Sequence, residues 1–105
     1  MTYGDIFRAL ADPTRRHIFE SLRDQPQTVT TLAAEQPVSR PAVSQHLQVL
    51  ASAQLVEAHP QGNRRIYSIK REGLEQLREY LEDFWTDTLA AYSADITQRL
   101  NDKQE

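Results

Sequence analysis

The chain has 105 residues, of which 39% are hydrophobic and 26% are charged, so it carries enough apolar side chains for one globular core. It contains no cysteine, which excludes disulfides, thiolate metal sites and cysteine-based redox sensing within one chain. No apolar run approaches the roughly 20 residues of a membrane span, and the first residues lack a signal-peptide pattern, so we expect a cytoplasmic protein.

The net charge of −3 is unevenly distributed along the chain. Residues 1–70 carry eight basic and six acidic side chains, a balance of +2, whereas residues 71–105 carry four basic and nine acidic ones, a balance of −5. Because the local sign of charge decides what a surface attracts, the first two thirds of the chain remain compatible with nucleic-acid binding. An acidic C-terminal helix is common, so the asymmetry alone is weak evidence.

The first half of the sequence predicts four helices. Apolar spacing places the first over about residues 3–10, and Asp12 followed by Pro13 is a typical N-cap and first position for the second. A third, short helix is expected over about residues 30–36. A tight turn then leads into the fourth helix, expected over residues 38–53.

The second half predicts a β-hairpin and one long helix. The two arms of the hairpin lie within residues 56–69 and flank Gly62 and Asn63, which tolerate the positive φ of a tight turn. Apolar residues at three- and four-residue steps predict a helix over residues 71–100, roughly 45 Å long. This order of elements is that of a winged helix-turn-helix. We therefore expect a mainly α fold with a small β-hairpin, in which residues 1–105 form one domain.

The predicted fourth helix has one apolar and one polar side. Val43, Leu47 and Leu50 recur at helical spacing and are expected to face the core. The other side carries groups that can hydrogen-bond to base edges or phosphates in a major groove, and the helix N-terminus favours a phosphate. An ordinary solvated face is the alternative, and the preceding helix and the following hairpin argue against it. The predicted DNA contacts at the start and along this side of the helix are Ser39, Arg40, Pro41, Ser44, Gln45, His46 and Gln48. Thr30, at the start of the third helix, is also a predicted DNA contact.

The beginning of this recognition helix admits two interpretations. Ser39 is a typical N-cap residue, but Pro41 disfavours helical geometry in the residue before it, which makes Arg40 a candidate cap instead. In that case the Arg40 side chain projects from the N-terminus of the helix and can contact the DNA backbone as readily as a base.

Two arginines at the hairpin tip, Arg64 and Arg65, are also predicted DNA contacts. A basic pair in this position can reach phosphates or an adjacent minor groove. On the two-residue alternation of a strand they lie on opposite faces, so we expect only one of them to point fully outward. Edge-strand charge that prevents aggregation is the alternative interpretation.

The long last helix offers more apolar surface than one small domain can bury. We expect it to pack against the first helix and against its own symmetry mate in a two-fold dimer, which also sets two recognition helices about one DNA turn, roughly 34 Å, apart. A helix that folds back on its own domain is the alternative. The predicted interface residues are Ile6, Phe7, Leu10, Leu77, Leu81, Phe84, Trp85, Leu89 and Tyr92.

The sequence shows no motif for catalysis or for metal binding. The three histidines, His17, His46 and His59, lie in different elements without metal-ligand spacing. A phosphate-cradling glycine loop and a nucleophile motif are both missing. We predict that the protein is not an enzyme, takes no metal or cofactor, and has double-stranded DNA and a second copy of itself as partners.

Two stretches resemble the ArsR-type (arsenic-repressor-like) winged-helix transcriptional regulators. Residues 9–22, ALADPTRRHIFESL, resemble that family's opening, and residues 38–69, from VSRPAVSQHL to RRIYSI, resemble its recognition helix and wing. The resemblance implies a homodimer that binds an inverted-repeat operator, usually as a repressor, with the first and last helices at the dimer interface.

The chain departs from this family in the residues that sense a signal. Many members hold a metal through a Cys-Val-Cys-like segment, and the matching residues here are Thr28-Val29-Thr30, whose hydroxyls are poor ligands for soft metals. Other members use ligands on the last helix, which contains no histidine in this chain. The resemblance thus implies a regulator without an evident metal or thiol site, controlled by its own level or by a protein partner. Two alternatives stay open: a module that binds a protein through its acidic helix, and a regulator with a small organic ligand near Trp85 and Tyr92.

Overall fold

A computed structural model describes residues 3–103. The helices are α1 (Tyr3–Ala11), α2 (Pro13–Ser21), α3 (Val29–Glu35), α4 (Arg40–Ser52) and α5 (Arg71–Lys103), and the strands are β1 (Gln27–Thr28), β2 (Val56–Gln61) and β3 (Arg64–Ile69). The mainly α winged helix-turn-helix expected from the sequence is confirmed. α5 extends slightly beyond its predicted end, and β1 was not predicted.

Three of the helices begin at a hydroxyl or carboxylate N-cap. The Asp12 side chain accepts a hydrogen bond from the Arg15 backbone N–H at 3.0 Å, and the Thr28 hydroxyl accepts one from the Thr31 N–H at 3.2 Å. These caps satisfy N–H groups that have no partner within the helix. They fix where α2 and α3 begin.

The N-cap of α4 is Ser39, and the alternative with Arg40 as the cap is wrong. Ser39 has extended backbone angles (φ −74°, ψ 162°), and its hydroxyl accepts from the Ala42 N–H at 3.3 Å. An arginine side chain has donors but no acceptor, so Arg40 has nothing to offer this N–H. This requirement outweighs the restriction that Pro41 places on Arg40, which is the first residue of the helix.

The wing belongs to a three-stranded antiparallel sheet in the order β1–β3–β2. β2 and β3 pair from Val56↔Ile69 to Gln61↔Arg64, so a two-residue loop joins them. Gly62, the first loop residue, has a φ of +61°, as a type II′ hairpin turn requires. On its other side, β3 pairs with β1, which is too short to show the alternation by which strands are recognised in a sequence.

The body of the protein, formed by α1–α4 and the sheet, encloses one apolar core. Its buried members are Ile6, Ala9, Ile18, Leu22, Leu32, Val43, Leu47, Leu50, Ala53, Leu55, Val56 and Tyr67. The expected core side of α4 is confirmed. The prediction that Ile6 lies at the dimer interface is wrong. Ile6 is 0% exposed, because its side of α1 packs inward, so it has no surface with which to contact a partner. Leu10 and Leu77 are partly buried against the same core.

The base of α5 is fixed to the body by two sets of contacts. The Gly73 N–H donates to the Gln54 carbonyl at 2.8 Å, and a Cβ on Gly73 would lie only 2.5 Å from that oxygen. The ring of Tyr80 packs on Tyr3 and Phe7, with centroids 5.0 and 5.4 Å apart. The rest of α5 extends away, which gives the molecule extents of 73 × 24 × 23 Å.

None of the helices in residues 3–103 is long and apolar enough to cross a membrane. This includes α5, whose 33 residues span about 50 Å but carry charged side chains throughout.

Candidate nucleic-acid interface

The outward side of α4 presents most of the predicted base-reading residues to solvent. Arg40, Pro41, Gln45 and Gln48 are exposed, whereas Ser44 and His46 are half-buried. The helical step of about 100° sets Ser44 and His46 on opposite edges of this side. The side chains available to a DNA groove are therefore two glutamines in the middle, with a serine on one edge and a histidine on the other.

The arginine at the start of α4 is held against the preceding helix. Arg40 Nη2 donates to the Thr30 hydroxyl oxygen at 2.9 Å, and both side chains are exposed. This hydrogen bond joins the two helices of the helix-turn-helix across their connecting turn. It holds the guanidinium near α3, away from the middle of the outward side of α4.

His46 lies beside the N-cap of α2. The pKa of Asp12 is lowered, first because its carboxylate accepts a hydrogen bond from the Arg15 N–H and further because His46 contributes a favourable charge. His46 itself is half-buried on α4.

Both arginines of the wing are exposed. The expectation that only one of them points outward is wrong, because the hairpin tip extends past the core and neither face of β3 is covered there. Further from the tip the alternation returns, since Tyr67 is 9% exposed and packs into the core. The acidic residue of the wing, Glu57, lies 3.3 Å from His59 Nε2 and is thus turned toward a neighbour on its own strand.

A small notch separates the wing tip from the beginning of α3. Its volume is about 200 Å³, and it is lined by Thr28, Val29, Thr30, Asn63, Arg64 and Arg65. The pairing of Thr28 with Ile66 brings the two segments side by side. Thr28 and Asn63 were missed as members of this surface, because their proximity depends on the short strand β1, which the sequence pattern does not reveal.

The arginines of the α4–wing face differ from those of α1 and α5 in what surrounds them. Residues 36–69 contain a single acidic residue, Glu57. Within the described residues, Arg40, Arg64 and Arg65 make no ion pair with a carboxylate. On α1 and α5, by contrast, the ion pairs are Arg8–Asp5, Arg71–Glu75 (3.1 Å), Arg78–Glu82 (2.8 Å) and Arg99–Asp95 (3.2 Å). Positive charge is therefore left uncompensated on the α4–wing face.

A second exposed surface is the apolar side of α5. The predicted interface residues Leu81, Phe84, Trp85, Leu89 and Tyr92 are 45–66% exposed. A groove of about 510 Å³ runs along the proximal part of this side, lined by Leu74, Leu77, Arg78, Leu81, Glu82, Phe84 and Trp85. The exposed apolar residues Tyr3, Ile96 and Leu100 were not predicted at the interface. Ile96 and Leu100 lie on the same helical period, so the pattern itself contained the signal.

The part of the chain that the structure describes holds no cluster of three or more histidine, aspartate or glutamate side chains suited to a metal ion. The hydroxyls of Thr28 and Thr30, in the segment that the resemblance matches to a metal site, already have hydrogen-bond partners. Thr28 caps α3, and Thr30 accepts from Arg40.

Comparison with known proteins identifies relatives along most of the chain. A family model described as a helix-turn-helix domain matches residues 10–59. Over 87 residues the chain is 52% identical to the HTH-type transcriptional regulator Rv2034 of Mycobacterium tuberculosis, which covers 83% of this chain and 81% of that protein. Over 81 residues it is 30% identical to the transcriptional repressor SdpR of Bacillus subtilis, covering 77% and 90% respectively.

Solved structures show the same architecture. An ArsR-like transcriptional regulator from Rhodococcus sp. RHA1 aligns with a TM-score of 0.73 at 34% identity, over 85% of this chain and 87% of that one. A homodimeric winged helix-turn-helix DNA-binding domain from Mycobacterium bovis, described as a possible ArsR-family regulator, aligns with a TM-score of 0.65 at 27% identity, over 80% and 78%. The family expected from the sequence is confirmed: the chain belongs to the ArsR family of winged helix-turn-helix transcriptional regulators.

Proposed function

We propose that this protein is a homodimeric repressor that binds an inverted-repeat DNA operator, with α4 of each protomer in a major groove. The observation that carries the proposal is the α4–wing face. It combines exposed Gln45 and Gln48 with three arginines that no carboxylate neutralises among the described residues. Such a face suits a polyanion whose groove edges present hydrogen-bonding groups.

Within this face we assign base reading to the middle of α4 and backbone contacts to its margins. Gln45 and Gln48 can each pair with an adenine edge, and Ser44 is an adaptable donor and acceptor. Arg40 is held by Thr30 at 2.9 Å, so it serves the backbone better than a base. Ser39 acts through the backbone geometry that its cap imposes, and Pro41 through apolar contact.

The second copy is needed because one protomer leaves the apolar side of α5 in water. Phe84, Trp85 and Tyr92 are each more than 60% exposed, and aromatic side chains contribute much of the energy of protein interfaces. The similar M. bovis domain is described as homodimeric. A two-fold pair would present two copies of α4 to half-sites about one DNA turn, roughly 34 Å, apart.

We further propose that neither a metal ion nor thiol oxidation controls the repressor. The chain has no cysteine, and the hydroxyls of Thr28 and Thr30 serve α3 and Arg40. Control then rests on the level of the protein in the cytoplasm or on a protein that competes for α5. Zinc, copper or a chelator at concentrations that leave the fold intact should not change DNA affinity.

The proposal is tested by a binding titration with DNA from upstream of the protein's own coding sequence and with a random duplex of equal length. We expect the upstream DNA to bind about 10³-fold tighter or more at physiological salt. Gln45→Ala should erode this ratio, while Glu79→Ala, an exposed change on α5, serves as the control. Equal affinity for both duplexes would contradict the proposal.

A further inference from the structure

We propose that the notch between α3 and the wing holds one phosphate of the DNA backbone in each protomer. Arg64 and Arg65 then grip the backbone and do not read the minor groove. This inference rests on the proposed function, since it names the part of the DNA that one region of the same face recognises.

The size of the notch suits a phosphate group. Its volume of about 200 Å³ corresponds to about six or seven water molecules, at roughly 30 Å³ each. A tetrahedral phosphate with its neighbouring ester oxygens fits this space, whereas a stacked base pair does not. The wall formed by α3 and the wall formed by the wing are held in register by the β1–β3 pairing.

The chemistry of the lining is that of an anion site. Among the six residues that line the notch, Arg64 and Arg65 supply positive charge, Asn63 supplies an amide, and none carries an acid. Hydrogen bonds from charged donors to phosphate oxygens are among the stronger ones in proteins. The two arginines make no ion pair within residues 3–103, so their charge is available to the ligand.

Thr30 also lines this space, and its hydroxyl can donate its proton to a ligand there. Its oxygen accepts a hydrogen bond from Arg40 Nη2 at 2.9 Å. A hydroxyl has one proton and two acceptor positions. Because the Arg40 guanidinium fills one acceptor position, the Thr30 proton is left to be donated, and an anion is a good acceptor for it. The Arg40–Thr30 pair thus extends the positive site from the wing to the start of α4.

A backbone grip and minor-groove reading by the wing predict different behaviour. An arginine in the minor groove favours narrow A·T tracts. A phosphate contact carries no sequence information. If the notch holds a phosphate, changing the wing arginines should lower affinity by a similar factor for every duplex.

The first arm of the experiment measures how DNA affinity falls with salt on a random duplex, for which no operator is needed. The logarithm of the binding constant falls by about 0.9 per phosphate contact for each unit of log salt. We expect Arg64→Gln with Arg65→Gln to reduce this slope by about 0.9 or more per protomer. The matched control, Arg71→Gln with Arg99→Gln, removes two arginines that are already paired and should leave the slope unchanged. An equal slope for the wing variant and the wild type would overturn the inference.

The second arm replaces single phosphates of a bound duplex, enriched by the protein from a random pool, with neutral methylphosphonates. For the wild type we expect one position per half-site at which affinity falls about tenfold, the loss of one charge-assisted bond. The Arg64→Gln, Arg65→Gln variant should be insensitive at that position, and Thr30→Val should be partly insensitive there. The inference would be overturned if the wild type and the wing variant lost the same affinity at every substituted position. It would also be overturned if the affinity lost by the wing variant grew with the A·T content of the duplex.

These two arms separate this inference from the proposed function. If no duplex is enriched from the pool but the random-duplex slope responds as expected, the operator proposal fails and the phosphate site stands. If enrichment succeeds and neither slope nor methylphosphonate pattern depends on the wing arginines, only the phosphate site fails.

Discussion

The arginines of the α4–wing face and those of α5 differ in what surrounds them. On α5, Arg71, Arg78 and Arg99 each pair with a carboxylate four residues away, so their positive charge is neutralised within the helix. On the α4–wing face, Glu57 is the one acid among residues 36–69. The same residue type is therefore left without a carboxylate partner in one region and is neutralised in the other, which supports the DNA-binding role proposed for the α4–wing face. What distinguishes them is the local spacing of acids, which the net charge of −3 conceals.

The two regions also differ in their apolar surface. The apolar side of α4 is wholly buried, with Val43, Leu47 and Leu50 at 0% exposure, whereas Phe84 and Trp85 on α5 are 66% and 63% exposed. The apolar side of α4 is buried within its own protomer, whereas the apolar side of α5 is exposed to solvent. This contrast supports the separate roles proposed above, DNA recognition for α4 and self-association for α5.

The largest effect is expected from placing charge on the apolar side of α5. Trp85→Glu together with Leu81→Glu should convert the dimer to a monomer, because two carboxylates would be buried at the interface. Loss of the second half-site contact should weaken operator binding by about 10²-fold or more.

Light scattering with size exclusion gives the mass, and a DNA titration gives the affinity. Glu79→Ala is the control on the same helix and should keep both values. A double variant that stays dimeric would show that α5 does not hold the protomers together.

Gln45→Ala tests whether the middle of α4 reads bases. We expect a loss of about 1–3 kcal/mol in the difference between operator and random DNA, as for one bidentate base contact, with little change in affinity for the random duplex. The free energy of unfolding should hardly change, because the side chain is exposed. The comparison with Arg64→Ala is informative, since that change should lower both affinities together.

Gly73→Ala tests the junction between the two regions. The added methyl group would meet the Gln54 carbonyl oxygen at 2.5 Å and that of Ala53 at 3.0 Å, so the base of α5 must shift. We expect a loss of about 1–3 kcal/mol in the free energy of unfolding, although alanine favours a helix more than glycine does. Chemical denaturation measures this loss. A variant as stable as the wild type would mean that α5 is not seated against the turn after α4.

The smallest effect is expected on the free energy of unfolding at acidic pH. The folded-state pKa of Asp12 is lowered from 3.8 by the Arg15 N–H and by His46, so this carboxylate stabilises the fold above its unfolded pKa and ceases to do so as the pH falls through the lowered value. Asp12→Asn keeps a good N-cap but removes the titration. Thermal melts between pH 5 and about 2 should show a shallower decline for the variant, and identical declines would exclude this contribution.

The sequence was sufficient for the elements that a local pattern defines. Val43, Leu47 and Leu50 predicted the buried side of α4 through their period, and Asp12-Pro13 predicted the start of α2 through its chemistry. The end of α3 and the beginning of α4 were placed within two residues for the same reason.

What the sequence did not reveal depends on contacts between distant residues. β1 exists only because Gln27 and Thr28 lie against β3, and the notch beside the wing follows from that pairing. The Arg40–Thr30 bond joins two helices. Ile6 was assigned to the wrong surface because its helical period gives a face but not which neighbour covers that face.

The most direct test of the account compares two variants with the same change in net charge. One replaces Arg40, Arg64 and Arg65 with glutamine, and the other replaces Arg71, Arg78 and Arg99. Both are first checked for dimer formation and for an unchanged fold, and their DNA affinities are then measured at physiological salt. We predict that the first variant loses about 10²-fold or more in affinity, as the loss of several phosphate contacts requires, while the second stays within about threefold of the wild type. Equal losses in the two variants would contradict the assignment of DNA binding to the α4–wing face.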